Sequence, residues 1–220
     1  MKTEALIRLL AWLSPSFPTG AFAYSHGLEW AVEAGDVHDE PSVLGWLSDV
    51  LAYGSGRTDA VLLRLAWRGS DAALAEVVEL ASAACPCRER RAETLGQGEA
   101  FTRAAAVWGS PRLAGIIEAG RPMAYPVAVG ILAADHGIPE EAALAAYLHA
   151  LVTNLTSAAV RLIPLGQTSG LRVLAGLEPV LLRVVAETRA ANPDHIGGAC
   201  FRSDIAAMRH ETQSTRLFRT

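Results

Sequence analysis

The chain has 220 residues, 51% of them hydrophobic, so it can bury one sizeable core. Its formal net charge is −4 and neither half carries the basic excess that a phosphate backbone requires, so we do not expect nucleic-acid binding. The three cysteines do not make a disulfide framework and no secretory signal is evident, so we expect a cytoplasmic protein.

Apolar residues recur at intervals of three and four along most of the chain, and strand-like alternation is scarce. This periodicity predicts an all-α fold, a single compact bundle-like array of about eight to ten helices. The predicted helical segments are 3–13, 25–34, 40–53, 57–67, 71–84, 88–108, 111–119, 122–134, 139–163, 167–191 and 203–210. We expect residues 1–198 to form the helical domain and residues 199–220 to form a flexible C-terminal tail.

The segment 13–30, called here the signature segment, combines Pro, Ser and Gly with aromatic residues. Pro15 and Pro18 restrict the backbone and Gly20 permits a sharp reversal, which predicts a shaped loop. The aromatic side chains fit either the core or an exposed apolar binding patch, and Phe22 and Tyr24 are the stronger candidates for the patch.

Residues 142–160 carry no formal charge over a length that could span a bilayer. His149, Asn154 and Ser157 interrupt this segment, so we expect a buried helix and no membrane association. Its alanines fit close packing within one subunit or between two. In the helix 88–108, Gly96 and Gly98 predict close approach of another backbone.

The C-terminal tail offers few apolar side chains, and its last twenty residues hold four arginines against two acids. Fixing each residue costs about 1–2 kcal/mol in backbone entropy. We therefore expect the tail to be partly disordered in the isolated protein and to become ordered against a partner.

Catalytic motifs are absent from the sequence. The only lysine is Lys2, no P-loop occurs, and neither Gly-x-Ser-x-Gly nor His-Glu-x-x-His is present, so we do not expect an enzyme. A helical hydrolase using a serine beside His26 is the weakest alternative, because no acid is spaced to orient that histidine.

A metal-binding protein is the other alternative. Cys85 and Cys87, together with histidines, could offer ligands, although no second cysteine pair is present. His26 could contact nickel transiently, contact a partner or hydrogen-bond locally. For His210 and Glu211, at the predicted end of the last helix, a structural or interface role is favoured over metal binding.

The signature segment reads Leu-Ser-Pro-Ser-Phe-Pro-Thr-Gly-Ala-Phe-Ala-Tyr-Ser-His-Gly-Leu-Glu-Trp. It resembles the N-terminal signature of the UreF family of urease accessory proteins, Ser-Pro-Ser-Phe-Pro-Thr-Gly followed by Tyr-Ser-x-Gly-Leu-Glu. Residues 201–219, Phe-Arg-Ser-Asp-Ile-Ala-Ala-Met-Arg-His-Glu-Thr-Gln-Ser-Thr-Arg-Leu-Phe-Arg, resemble the family's C-terminal end. Segments 123–130 and 159–168 also match, so the resemblance covers essentially the whole chain.

The resemblance implies an all-helical homodimer without catalytic residues. It implies that the protein bridges a second accessory protein, UreD or UreH, to the GTPase UreG in an assembly that delivers nickel to apo-urease. No cofactor is expected to bind stably, because the complex handles the nickel. The expected partner-binding residues are Phe22, Tyr24, His26, Asp204, Met208, His210, Glu211, Arg216, Leu217 and Phe218.

Overall fold

The computed structural model describes residues 1–220 and confirms the all-α fold, with eleven α-helices and no strand. The helices are α1 (Thr3–Trp12), α2 (Leu28–Glu33), α3 (Glu40–Tyr53), α4 (Ser55–Arg68), α5 (Asp71–Ala83), α6 (Arg88–Ala105), α7 (Pro111–Glu118), α8 (Tyr125–Asp135), α9 (Glu140–Leu162), α10 (Gln167–Glu187) and α11 (Phe201–His210). Short 3₁₀ turns occupy Ala21–Ala23, Ala106–Trp108, Thr188–Ala190 and Pro193–His195.

The core is built around α8, which is apolar on all sides and packs against α4, α6 and α9. A helix without a polar face must be enclosed by its neighbours. Gly130 allows the closest of these contacts, since a Cβ at that position would lie 2.5 Å from the carbonyl oxygen of Leu63 on α4.

The long helix α9 also belongs to this core. It is the one helix whose length and hydropathy would suit a membrane span, and half of its apolar window is buried inside the fold. It packs against α10, α8 and α4. The buried Arg64 on α4 joins these helices by pairing with Glu140 and by donating to the Val185 carbonyl at 2.6 Å.

The close backbone approach predicted at the α6 glycines is confirmed within the chain. A Cβ at Gly98 would collide with the Met123 carbonyl and lie 2.8 Å from the carbonyl carbon of Ala124. This contact explains why the helix predicted from residue 122 begins instead at Tyr125, since the preceding residues run in extended form across Gly98.

The helix predicted from residue 25 begins later, at Leu28. His26 and Gly27 have φ values of 64° and 77°, in the left-handed region that a right-handed helix cannot use. A Cβ at Gly27 would lie 2.6 Å from the backbone nitrogen of Ala207, so the backbone of α11 packs directly against this turn.

The expected flexibility of the C-terminal tail is not confirmed. The tail forms α11 and then runs back along the signature segment, with α11 packed against α2 and α6. Phe218 and Thr220, near its end, are buried. The contacts that hold it belong to the candidate site.

Candidate partner-binding site

The tail and the signature segment are joined by two backbone hydrogen bonds. The Ser25 N–H donates to the Thr220 carbonyl at 2.7 Å, and the Arg219 N–H donates to the Ala23 carbonyl at 2.8 Å. The Ser25 hydroxyl also donates to Thr220, at 2.6 Å. The last residues of the chain therefore fix the conformation of the turn that precedes α2.

The buried carboxylate of Glu29 on α2 makes hydrogen-bond contacts with three groups of the tail. The backbone N–H groups of Leu217 and Phe218 donate to its two oxygens at 2.7 and 3.0 Å. His210 Nε2 lies 3.1 Å from the same carboxylate. One acid in the signature segment thus orders both the end of α11 and the extended residues after it.

The fully buried His210 lies between two carboxylates. Its Nδ1 is 2.7 Å from Glu89 Oε2 at the start of α6, opposite its contact with Glu29. Arg216 Nη1 donates to the other Glu89 oxygen at 3.0 Å. This network links α2, α6 and the tail in the interior.

These polar contacts explain why the tail is ordered. The sequence-based expectation considered apolar burial alone, whereas hydrogen bonds to charged groups contribute about 1.5–3 kcal/mol each. Glu29 and Glu89 together make five such contacts with the tail. These contacts act against the cost of ordering the tail, which is on the order of 1–2 kcal/mol per residue.

On the surface, Arg161 connects the same two segments. Its guanidinium, in the last turn of α9, lies 3.8 Å from the centroid of the Phe22 ring and 4.3 Å from that of Phe218. Its Nη2 donates to the Phe22 carbonyl at 2.9 Å. This stacking holds the Phe22 ring in place, although Phe22 is 67% exposed.

The residues expected to bind a partner divide into three groups in the structure. Tyr24, His26, His210 and Phe218 are buried; Asp204 and Glu211 are partly exposed; Phe22, Met208, Arg216 and Leu217 are exposed. The buried residues can support the neighbouring surface residues by packing beneath them. Only the partly and fully exposed ones can touch a partner without rearrangement.

Glu29, Glu89 and Arg161 were not among the expected site residues. Glu29 and Arg161 lie in segments that resemble the family, and their family match was the one signal that could have singled them out. Glu89 gave no comparable signal, because its role depends on a histidine far away in the chain.

His26 makes contacts that the sequence did not suggest. Its Nδ1 lies 3.3 Å from Glu93 Oε1 and its Nε2 lies 2.5 Å from Ser55 Oγ, which resembles a serine–histidine–acid arrangement. The imidazole is buried, and burial together with the charge of Arg90 lowers the pKa of His26. Neither Ser55 nor His26 lines either of the two main cavities.

A cavity of about 780 Å³ lies among α1, α9 and the signature segment. At its polar end the Tyr147 hydroxyl donates to Asp59 Oδ2 at 2.8 Å. Burial raises the pKa of Asp59 to about 6, although Arg90 acts in the opposite direction. Burial would also raise the pKa of Glu93, but Arg90 and His26 outweigh it and hold that pKa far below its usual range.

The thiols of Cys85 and Cys87 precede α6, and burial raises the pKa of both. A raised thiol pKa disfavours the thiolate that a metal needs. No group of three or more His, Cys, Asp or Glu side chains is placed to hold a metal ion.

Comparisons with known proteins agree with the resemblance. The UreF family model matches residues 37–178. A urease accessory protein UreF from Rhodopseudomonas palustris (strain BisA53) is 55% identical, with 98% of this chain and 93% of the relative covered. UreF from Bradyrhizobium sp. (strain BTAi1 / ATCC BAA-1182) is 53% identical, with 98% and 92% covered, and UreF from Bradyrhizobium diazoefficiens is 50% identical, with 100% and 93% covered. The chain therefore belongs to the UreF family of urease accessory proteins, which are helpers of an enzyme and are not themselves catalytic.

Proposed function

We propose that this protein is a cytoplasmic adaptor that binds the accessory protein UreD, also called UreH, and the GTPase UreG, and that the assembly delivers nickel to apo-urease. Membership of the family supports the accessory role, which implies contact with other urease maturation factors. The ordered tail supports the specific mode of contact.

One observation carries the proposal: the signature segment and the tail form one surface. We call Phe22, Arg161, Leu217 and Arg219 the loop–tail surface, since Arg161 stacks on both segments and Arg219 lies over Tyr24. Phe22 and Leu217 are 67% and 77% exposed. The centre of a protein–protein interface is typically rich in aromatic side chains and arginine, and this surface has both beside an aliphatic side chain.

Nickel is cargo in this proposal. In this proposal the assembled complex handles the ion, and this chain binds no nickel stably by itself. The protein acts by holding its partners in a fixed relation.

We also propose a homodimer. Helix α9 keeps a partly exposed row of small residues, Ala142, Ala145 and Ala146, beside its buried face. Small residues at this spacing allow a second helix to approach closely. Light scattering of the purified protein would give twice the chain mass of 23.3 kDa for a dimer, whereas a mass of one chain at all concentrations would contradict it.

Size-exclusion chromatography with light scattering tests the adaptor function. Wild-type protein is mixed with UreD/UreH and then with UreG; we expect a complex with the first that recruits the second. A Phe22→Ala/Leu217→Ala double variant should weaken the first step. The matched control is Leu171→Ala/Leu182→Ala, two apolar side chains on α10 that are 67% and 64% exposed. Folded wild-type protein that binds neither partner would contradict the proposal.

A further inference from the structure

We infer that Arg161 forms an ion pair with an acidic side chain of the partner protein that docks on the loop–tail surface. This inference rests on the proposed adaptor function and adds the chemistry by which the surface recognises its partner: one carboxylate, flanked by apolar groups, received by a guanidinium that this fold holds ready.

The guanidinium is held in one orientation before any partner arrives. It lies between two aromatic rings, 3.8 Å from the Phe22 centroid and 4.3 Å from the Phe218 centroid. Its Nη2 donates to the Phe22 carbonyl at 2.9 Å and its Nε donates to the Ser157 carbonyl at 3.3 Å, so two of its three nitrogens hold it against the fold. An arginine held flat in this way loses little side-chain freedom on binding, which is the main cost of using a long side chain at an interface.

The positive charge of Arg161 has no counter-ion in this fold. Most arginines of the chain pair with a carboxylate, and Arg216 of the same tail pairs with Glu89. Arg161 has neither an ion pair nor a hydrogen-bonded acid, and partial burial alone lowers its pKa. The side chain stays charged, the residue is exposed, and Nη1 makes no hydrogen bond within the chain.

The surroundings of Arg161 also favour an anion. The other charged member of the loop–tail surface, Arg219, is also an arginine; it is exposed and lies 5.8 Å from the centroid of the Tyr24 ring. The apolar Phe22 and Leu217 would exclude water from a docked carboxylate, and exclusion of water strengthens a charged hydrogen bond. A planar guanidinium matches a carboxylate in a two-pronged arrangement that fixes the position of the partner.

Binding of UreD/UreH to Arg161→Met tests the inference. Methionine is unbranched and apolar but shorter than arginine, and it removes both the charge and the hydrogen bond to the Phe22 carbonyl. Thermal stability and hydrogen exchange of the tail are therefore measured beside binding, and a loss of affinity supports the inference where both stay as in the wild type. We expect affinity to fall at least about tenfold, as for a charged residue at an interface centre. Arg161→Lys should fall between the two, because lysine is a point charge without the fork.

The matched control is Arg183→Met. Arg183 is an exposed arginine on α10 without a hydrogen bond or ion pair, roughly 24 Å along that helix from its start near Arg161. Unchanged binding of Arg161→Met would overturn the inference. Equal weakening by Arg161→Met and Arg183→Met would also overturn it, since it would indicate general charge attraction.

Charge reversal provides a second test in case methionine loosens the tail. Arg161→Glu should bind more weakly than Arg161→Met, and one acid→Arg substitution on the partner should restore its binding. Restoration by one partner variant supports the inference, and restoration by none overturns it. If the wild type does not bind UreD/UreH, the proposed adaptor function is contradicted. If the wild type binds and the Arg161 variants bind equally well, only the inference about Arg161 is contradicted.

Discussion

The carboxylate of Glu29 on α2 accepts a hydrogen bond from the backbone N–H of Phe218 at 3.0 Å. This bond joins two segments that are 189 residues apart in the sequence. Because Glu29 also contacts His210, the position of the Phe218 ring beneath Arg161 depends on a buried acid. The shape of the loop–tail surface is thus set from inside the protein.

Glu29→Gln tests this dependence. The amide can still accept one tail N–H, but it loses the charge that faces His210, so we expect a stability loss of about 1–3 kcal/mol. Hydrogen exchange of residues 211–220 should become faster while exchange in α8 changes less. The control Glu178→Gln alters an exposed acid on α10 and should leave both rates as they are. Equal tail protection in wild type and Glu29→Gln would contradict the role of the buried acid.

Asp59→Asn should change the pH dependence of stability. Burial raises the pKa of Asp59 from 3.8 to about 6, so the folded state binds this proton more tightly than the unfolded state does. Wild-type stability therefore falls as pH rises between these two values and stays lower above them. The variant lacks this loss and should exceed the wild type by about 1–3 kcal/mol at pH 8.

Urea unfolding at pH 4, 6 and 8 measures the difference, which should nearly vanish at pH 4. The amide can keep the hydrogen bond from Tyr147, so the comparison isolates the charge. Asp49→Asn, at an exposed position on α3, is the control and should show no such trend. A variant that is less stable than the wild type at pH 8 would show that the Asp59 charge is favourable.

Two glycine-to-alanine changes should have opposite effects. Gly98→Ala would push a methyl group into the backbone of Met123 and Ala124, and overpacking of this kind costs about 1–3 kcal/mol or more. Gly115→Ala on α7 meets open space and should stabilise by about 0.5–1 kcal/mol through helix propensity. Thermal unfolding of both variants is the measurement; the same sign for both would contradict the packing at Gly98.

Ser55 should not behave as a nucleophile. Its hydroxyl is close to His26, but it adjoins neither main cavity. A fluorophosphonate probe should therefore leave the residue unmodified, as judged by mass spectrometry of the intact protein. Stoichiometric labelling that Ser55→Ala abolishes would instead revive the hydrolase alternative.

Much of the fold follows from the sequence, since amphipathic spacing and caps are local. Asp39 caps α3 and Ser70 caps α5, and these helices begin where the pattern indicates. The errors arise where distant contacts decide. The left-handed turn at His26 and Gly27 depends on α11, and the late start of α8 depends on Gly98.

The candidate site was less predictable for the same reason. The family motifs pointed to both ends of the chain, but periodicity could not tell that Tyr24 and His210 face inward while Phe22 and Leu217 face solvent. The ordered tail depends on Glu29 and on acids of α6. Buried polar contacts of this range leave no periodic signal in a single sequence.

Hydrogen exchange of the free protein and of its complex with UreD/UreH tests the central claim most directly. We expect residues 211–220 to be protected already in the free protein, and binding to add protection at 21–24 and 215–219. A tail that exchanges freely until the partner binds would contradict the preformed surface. A footprint confined to other helices would contradict its role as the docking site.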